Sequence, residues 1–501
     1  MRVLVTGGTG VVGVAAVNEL LRRGHTVRLL SRNAERDVKQ FAGDVEAFPA
    51  SVSDPEGIRG AAEDCEAVVH VVGIVAETPP DVTFQRVNVD GTRFVVEEAE
   101  RAGVKRLVYV SSLGADIGRS NYHQSKLSAE QIVETFSRDW IILRPGAVYG
   151  PGDEIVSLLL QMVRTLPAVP VIDGGDTLAQ PIWADDLALA IAESLQRYDL
   201  AGRILDLAGP EKISMNAMLD RLSTLTGKQP VRLPLPGWLA EAGANFLKTV
   251  GANVPFSPDQ VVMLTEGNAI REGVTNALTD IFGIEGTSVS EALKRLVDGQ
   301  AEQLPREGVG PMHSTSARAH IVGSNLSAQD LFETLRSEFA SFFPSTTVTA
   351  EPEPRESGRI EEGASMTLGL PLRGNVQVRV QEVGSRSLTL GTLVGHPLAG
   401  AVKFEVDETI DGVDVKVTTW DRASTPTDAV ALNTVGRTAQ QFTWQTFIEN
   451  LVTRSGGTTK DGVQVDQRTL SEDEAKGIEE WLEDMVQRRK RTEAEGNITL
   501  R

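Results

Sequence analysis

Tyr122 and Lys126, in the stretch NYHQSKLSAEQ, have residue types and a spacing that could do chemistry. Four positions apart on a helix, they share a face. A free tyrosine ionises near pH 10, too high for easy proton transfer at neutrality. A lysine ammonium beside it favours phenolate and draws that value down. The pair predicts a proton moved to or from a substrate oxygen by Tyr122, with Lys126 as its electrostatic partner. It follows the strand-like VKRLVYVSS, and position gives it weight, because Tyr–x–x–x–Lys is common by chance.

The chain begins MRVLVTGGTGVVG, with Gly7, Gly10 and Gly13 at three-residue intervals. A strand ending at Val5 runs into these glycines, and a helix is expected to start near Val11 and Val12. Gly7 permits a tight turn. Gly10 lets backbone N–H groups approach a pyrophosphate, and Gly13 lets the helix pack against the sheet. Unpaired N–H groups at a helix start favour an anion there, so the loop predicts a bound dinucleotide. After the second strand, Ser31 stands where an acid would grip an unphosphorylated ribose. Arg32 follows, and Arg36 adds charge. A guanidinium suits a 2′-phosphate, so NADP(H) is favoured over NAD(H).

The elements that must position these residues alternate between strand and helix from residue 1 to about 298. That pattern predicts a parallel α/β sheet with helices on both faces, with looser pieces after Gly152 forming a smaller subdomain over the cofactor. Residues 299–318 are polar, rich in Gly and Pro and without period, and read as a linker. From 319 to 456 an early helix, alternating strands such as AVKFEVD and a helix from about Asp428 to Val452 predict an α+β domain. Phe404, Val415, Val417, Trp420, Phe442 and Phe447 either line a cavity there or fill its core. Residues 457–501 read as a charged tail with a solvated helix at about 471–491, acids early and bases late.

Composition narrows the function classes. A net charge of −20 disfavours nucleic acid and anionic membrane as partners. No apolar run is long enough to span a bilayer, no secretory signal is evident and the lone Cys65 forms no internal disulfide, so the cytoplasm is the expected location. The six histidines show no ligand spacing, and no metal is expected. His25 and His123 are not read as ligands, and His396 reads as a turn residue beside Pro397. Asp186 reads as the cap of the helix beginning LALAIAES.

TGGTGVVG, YVSS, YHQSK and RPGAVYGPGD, in that order, resemble the short-chain dehydrogenase/reductase superfamily of extended or atypical type. HVVGIVAE, NVDGT at Asn88, PIWADDLA and GVTNALTDIFGIEGTSVSEALKRLV agree with it. The last of these is similar to the branch that holds the NADPH-binding accessory subunit of respiratory complex I. The resemblance spans about residues 1–298 and implies a doubly wound Rossmann fold with a small substrate subdomain, a bound NADP(H) or NAD(H) and a substrate cleft at the C-terminal side of the sheet. It implies that Gly7, Gly10, Val11, Val12 and Gly13 meet the pyrophosphate and that Ser31, Arg32 and Arg36 lie at the adenosine end. Val52, Val72, Gly73, Asn88, Ser111 and Lys126 would line the cofactor, and Pro145, Gly146 and Val148 would meet the nicotinamide. Tyr122 and Lys126 would be catalytic, with Ser112.

Two departures stand out. The adenine-side motif usually carries Asp before an apolar residue, and here Ser51 precedes Val52. The hydroxyl residue usual two positions after the first serine of YVSS is Leu113, leaving Ser111 or Ser112 to substitute. In the second domain, GHPLAG and the terminal helix resemble a START/Bet v 1-like helix-grip fold, which implies a cavity suited to a small molecule or lipid-like ligand.

Three functions stay open. The first is an oxidoreductase acting on a carbonyl or alcohol of a small, apolar substrate. The second is a non-catalytic NADP(H) sensor or scaffold whose second domain binds a lipid or partner. The third is an epimerase or dehydratase of the nucleotide-sugar type.

Overall fold

A computed structural model of the chain describes residues 1–153, 155–239, 267–298, 301–346, 348–352, 359–370, 374–432 and 436–499. The chain divides into two compact units, the first within residues 1–296 and the second mainly 297–501.

The first unit is built on a parallel sheet of seven strands. They are β1 (Arg2–Thr6), β2 (Thr26–Ser31), β3 (Val45–Pro49), β4 (Ala67–His70), β5 (Arg106–Val110), β6 (Asp139–Pro145) and β7 (Arg203–Leu207). Their order across the sheet is β7-β6-β5-β4-β1-β2-β3. The strand order reverses between β1 and β4, the place where open α/β sheets bind ligands. Val3, Val5, Val69, Val108, Ile141 and Leu143 face one core, which includes the helices Val11–Arg22 and Ala184–Ser194. Leu4, Val68, Leu107, Tyr109 and Ile142 face the other, with residues from Gly91–Ala102 and Asn121–Val133. Burial on both sides explains the nearly continuous apolar strands. Beyond β6 the regularity loosens into short two-stranded pieces, such as Ala168–Ile172 paired with Val231–Leu235.

Asp186 does not cap its helix. The helix starts at Ala184 with Trp183 before it, and the Asp186 carboxylate accepts from the Thr287 N–H at 2.6 Å and its hydroxyl at 2.9 Å. It anchors a distant loop instead.

The second unit holds a nine-stranded antiparallel sheet. One face packs Phe404, Val406, Val415 and Val417 against Phe339, Phe447, Ile448 and Leu451, the last three from the helix Arg437–Ser455 and Phe339 from a short turn of helix. The space left among Leu335, Phe404, Val415, Phe447 and Leu451 is about 10 Å³, room for a single water. These side chains fill a core rather than line a cavity. Phe442 is half exposed, and Trp420 packs on Trp481 at 5.3 Å between ring centres. His396 sits in a turn, its ring nitrogen accepting from the Leu398 N–H at 3.0 Å.

Two boundaries need correction. The expected linker at 299–318, whose first two residues lie outside the described ones, contains most of the strand Val309–Val322. That strand pairs with Val413–Ala423 on one side and with Gln464–Thr469 on the other. Its alternation HSTSARAH places only small residues inward, which hides the period from an apolar scan. The charged tail is likewise part of the unit. Its helix, Glu472–Thr499, buries Ala475, Leu482, Met485 and Val486, and Arg489 donates to Glu302 and Gln381. The helix expected from Asp428 to Val452 is described as two, Pro426–Ala431 and Arg437–Ser455, with 433–435 outside the described residues.

Candidate active site

The glycine loop joins β1 to the helix Val11–Arg22. Gly7 has φ +74°, and a Cβ there would lie 2.7 Å from the backbone nitrogen of Val72, which follows β4. A Cβ on Gly13 would stand 2.0 Å from the Gly7 carbonyl oxygen. The protein's own packing therefore demands glycine at both positions. Gly10 is different. It is exposed, and its Cβ would meet only the Gly7 oxygen at 3.7 Å, an ordinary contact. No side chain caps this helix, and its first turn, with half-buried Val11 and Val12, holds no acid. An open glycine and uncapped N–H groups at a topological switch point fit a dinucleotide's pyrophosphate.

Past β2, Arg32 is exposed. The Ser31 hydroxyl donates to the Asp37 carboxylate at 2.6 Å, and Arg36 donates to the other oxygen at 2.8 Å. Arg36 is thus held by an acid that the sequence reading passed over. Val52 is buried in the core, its side chain against Gly91.

Tyr122 and Lys126 lie on the helix Asn121–Val133, whose N-cap Ser120 accepts from the His123 N–H at 3.1 Å. Both are buried. Lys126 Nζ donates to the Val110 carbonyl oxygen at 2.7 Å and lies 4.6 Å from the Tyr109 ring centre. A Cβ on exposed Gly73 would come within 3.3 Å of it. The Ser112 side chain lies beside Tyr122, its hydroxyl donating to the Leu113 carbonyl at 3.4 Å, and the Phe84 ring packs edge-on against Tyr122 at 6.2 Å. Gly73, Ser112, Tyr122 and Lys126 thus gather at the C-terminal ends of β4 and β5.

The electrostatics reverse one expectation. Burial pushes the Tyr122 phenol up, with the polar Ser112 side chain beside it offsetting part of the rise. Burial pushes Lys126 down to about 7, against the pull of Glu130. A buried ammonium loses more hydration than the single Val110 carbonyl returns.

Ser111 and Asn88 both have hydrogen-bond partners within the protein. The Ser111 hydroxyl donates to Glu130, which Arg144 grips at 2.9 and 2.6 Å. The Asn88 amide accepts from the Ile74 N–H at 2.9 Å and donates to Ile74 O and to the Ser125 hydroxyl. It fixes the loop carrying Val72 and Gly73. Leu113 packs with Ala208 and Ile270, so the usual hydroxyl position has become apolar core. The Pro145 carbonyl accepts from Leu113 N at 2.7 Å, Val148 pairs with Ile182, and a Gly146 Cβ would strike the Gln180 carbonyl at 2.4 Å. Asn268 is a residue that sequence reasoning missed. It donates to Leu113 O at 3.2 Å and accepts from Ala147 N at 2.7 Å, tying two site loops together.

A family model described as NAD(P)H-binding matches residues 7–159. The chain is 32% identical over 248 residues to a ceramide reductase of Caulobacter vibrioides, covering 48% of this chain and 76% of that protein. It is 31% identical over 276 residues to sterol demethylase protein B of Methylococcus capsulatus, covering 50% and 81%. It is 26% identical over 293 residues to NADH dehydrogenase (ubiquinone) 1 alpha subcomplex subunit 9, mitochondrial, of Rattus norvegicus, covering 57% and 75%. Among the described residues, no helix is long and apolar enough to cross a membrane. With the glycine crevice and its parallel sheet in place, these similarities establish that the chain belongs to the NAD(P)-binding Rossmann family of short-chain dehydrogenase/reductase-like proteins.

Proposed function

We propose that the first unit is an NADP(H)-dependent oxidoreductase that interconverts a carbonyl and an alcohol on a small, apolar substrate. The observation that carries this reading is buried Tyr122 and Lys126 on one helical turn beside Ser112, on the same sheet ends as the glycine loop. The uncapped turn at Gly10, Val11 and Val12 would hold the pyrophosphate, and Arg32 the 2′-phosphate. When bound, the nicotinamide supplies or accepts hydride. Tyr122 holds the proton for the substrate oxygen, and Ser112 orients that oxygen. Lys126, poised near neutrality, compensates charge developing on Tyr122. The ceramide and sterol in the names of two relatives favour an apolar substrate. A reducing cytoplasm suits the single Cys65.

We read the second unit as a helix-grip domain, on the strength of its antiparallel sheet wrapped on the helix Arg437–Ser455. A ligand in its core would have to displace Phe404 or Phe447.

The test is Tyr122→Phe. NADPH-dependent turnover over a panel of apolar ketones and aldehydes should fall at least about 100-fold, with nucleotide affinity kept within about twofold. Equal rates in variant and wild type would remove Tyr122 from the mechanism. Leu113 supports a second reading, a nucleotide-binding protein without turnover, because its side chain packs into core where a substrate-orienting hydroxyl would stand. Under that reading NADPH binds and no substrate is consumed.

A further inference from the structure

The acid missing from the end of β2 is supplied by the short helix that follows. Asp37 lies in Ala34–Asp37, and its side chain is 11% exposed. One carboxylate oxygen accepts from Ser31 at 2.6 Å, and the other accepts from Arg36 Nε at 3.1 Å and Nη2 at 2.8 Å. Burial raises the Asp37 carboxyl, but the Ser31 and Arg36 hydrogen bonds and the Arg36 and Arg32 charges outweigh it and hold it below its usual value. It is therefore ionised throughout the neutral range. The Arg36 guanidinium is 76% exposed, so that ion pair alone is weak and easily exchanged. The Ser31 bond, at the last residue of β2, is what fixes the carboxylate at the strand end.

A dianionic 2′-phosphate approaching Arg32 would meet this fixed negative charge and would compete with it for Arg36. A 2′-hydroxyl meets a hydrogen-bond acceptor instead. We propose that Asp37 is a selectivity residue: it holds Arg36 back from a 2′-phosphate and makes the adenosine subsite accept NAD(H) alongside NADP(H). This rests on the nicotinamide-nucleotide reading of the glycine loop. It modifies the preference that Arg32 alone implies.

The experiment is calorimetric titration of the full chain with NADH and with NADPH, without substrate. Wild type should bind both, with dissociation constants within about tenfold of each other. Asp37→Asn keeps an acceptor for Ser31 and removes the charge. It should shift the NADPH-over-NADH affinity ratio toward NADPH by about tenfold, and Asp37→Ala should shift it the same way. The double variant Arg36→Ala/Asp37→Asn should lose most of that gain. A shift below about threefold in both single variants overturns the role of Asp37 while leaving the nucleotide site intact. Uptake of neither nucleotide by wild type overturns the nucleotide reading itself, and with it this proposal.

Discussion

Lys126 Nζ donates at 2.7 Å to the carbonyl oxygen of Val110, the last residue of the strand that leads into Ser111 and Ser112. The catalytic helix and the sheet are thus pinned together by the proposed catalytic lysine, and the pin is buried. An ammonium in such a place destabilises the fold. Its value lies at about 7 in the folded chain against 10.5 as reference, so the unfolded chain binds more protons between those limits. Stability therefore rises with pH through that window, and below it the whole burial penalty remains.

Lys126→Met should consequently gain stability relative to wild type, most at acid pH, and lose turnover. Denaturant unfolding at pH 6.5 and 9 should show the advantage shrinking by on the order of 3 kcal/mol as pH rises. A constant difference would mean that Lys126 stays protonated in the folded chain across this range, its value not lowered by burial.

Ser112 and Ser111 should separate cleanly. Ser112→Ala should lower kcat about 100-fold with nucleotide affinity unchanged, as for loss of one preorganised donor. Ser111→Ala instead removes a partner of the buried Glu130–Arg144 pair and should cost about 1–3 kcal/mol of stability. Thermal melts alongside steady-state kinetics distinguish the two.

The loop glycines should separate as well. Gly10→Ala has room for its methyl and should cost about 1 kcal/mol or less, yet weaken NADPH binding tenfold or more by calorimetry. Gly13→Ala places a methyl on the Gly7 oxygen and should cost about 3 kcal/mol, read as a lowered unfolding midpoint.

His70 gives the first unit an acid limit. It is fully buried between Thr6 at 2.6 Å and Thr92 at 2.9 Å, and burial together with the Lys126 charge lowers it from 6.5 to about 3. The unfolded chain takes up a proton below about 6.5 that the folded chain refuses until about 3. Stability is thus lost as pH falls through that range, up to on the order of 5 kcal/mol. His70→Gln should flatten the acid limb of a pH–stability curve.

In the second unit, Glu302 is 3% exposed and bridges Arg379, at 3.0 Å, and Arg489 of the C-terminal helix. Glu302→Ala should cost about 3–5 kcal/mol, because it strands buried positive charge. Limited proteolysis should then release the helix Glu472–Thr499 first, and equal protection in both proteins would argue against this.

Much of the site was legible in short-range pattern. The glycine spacing implied a turn and a close helix, and both are imposed by overlaps at Gly7 and Gly13. The Tyr122–Lys126 spacing placed both on one helical turn, and strand–helix alternation implied the parallel sheet. The strand Val309–Val322 was not legible, because small residues replace the apolar period along its inward face.

The sequence by itself determined the strand–glycine–helix start of the first unit, its alternation of strand and helix and the shared face of Tyr122 and Lys126, because these follow from steric and periodic rules acting over a few residues. Only the tertiary structure decided that Ser111 turns to Glu130 while Ser112 lies beside Tyr122, that Asp37 closes on Ser31, that Leu113 enters a core and that the C-terminal helix packs on the second unit's sheet. Each of those outcomes depends on where a side chain meets groups brought alongside by folding, and no local spacing carries that information.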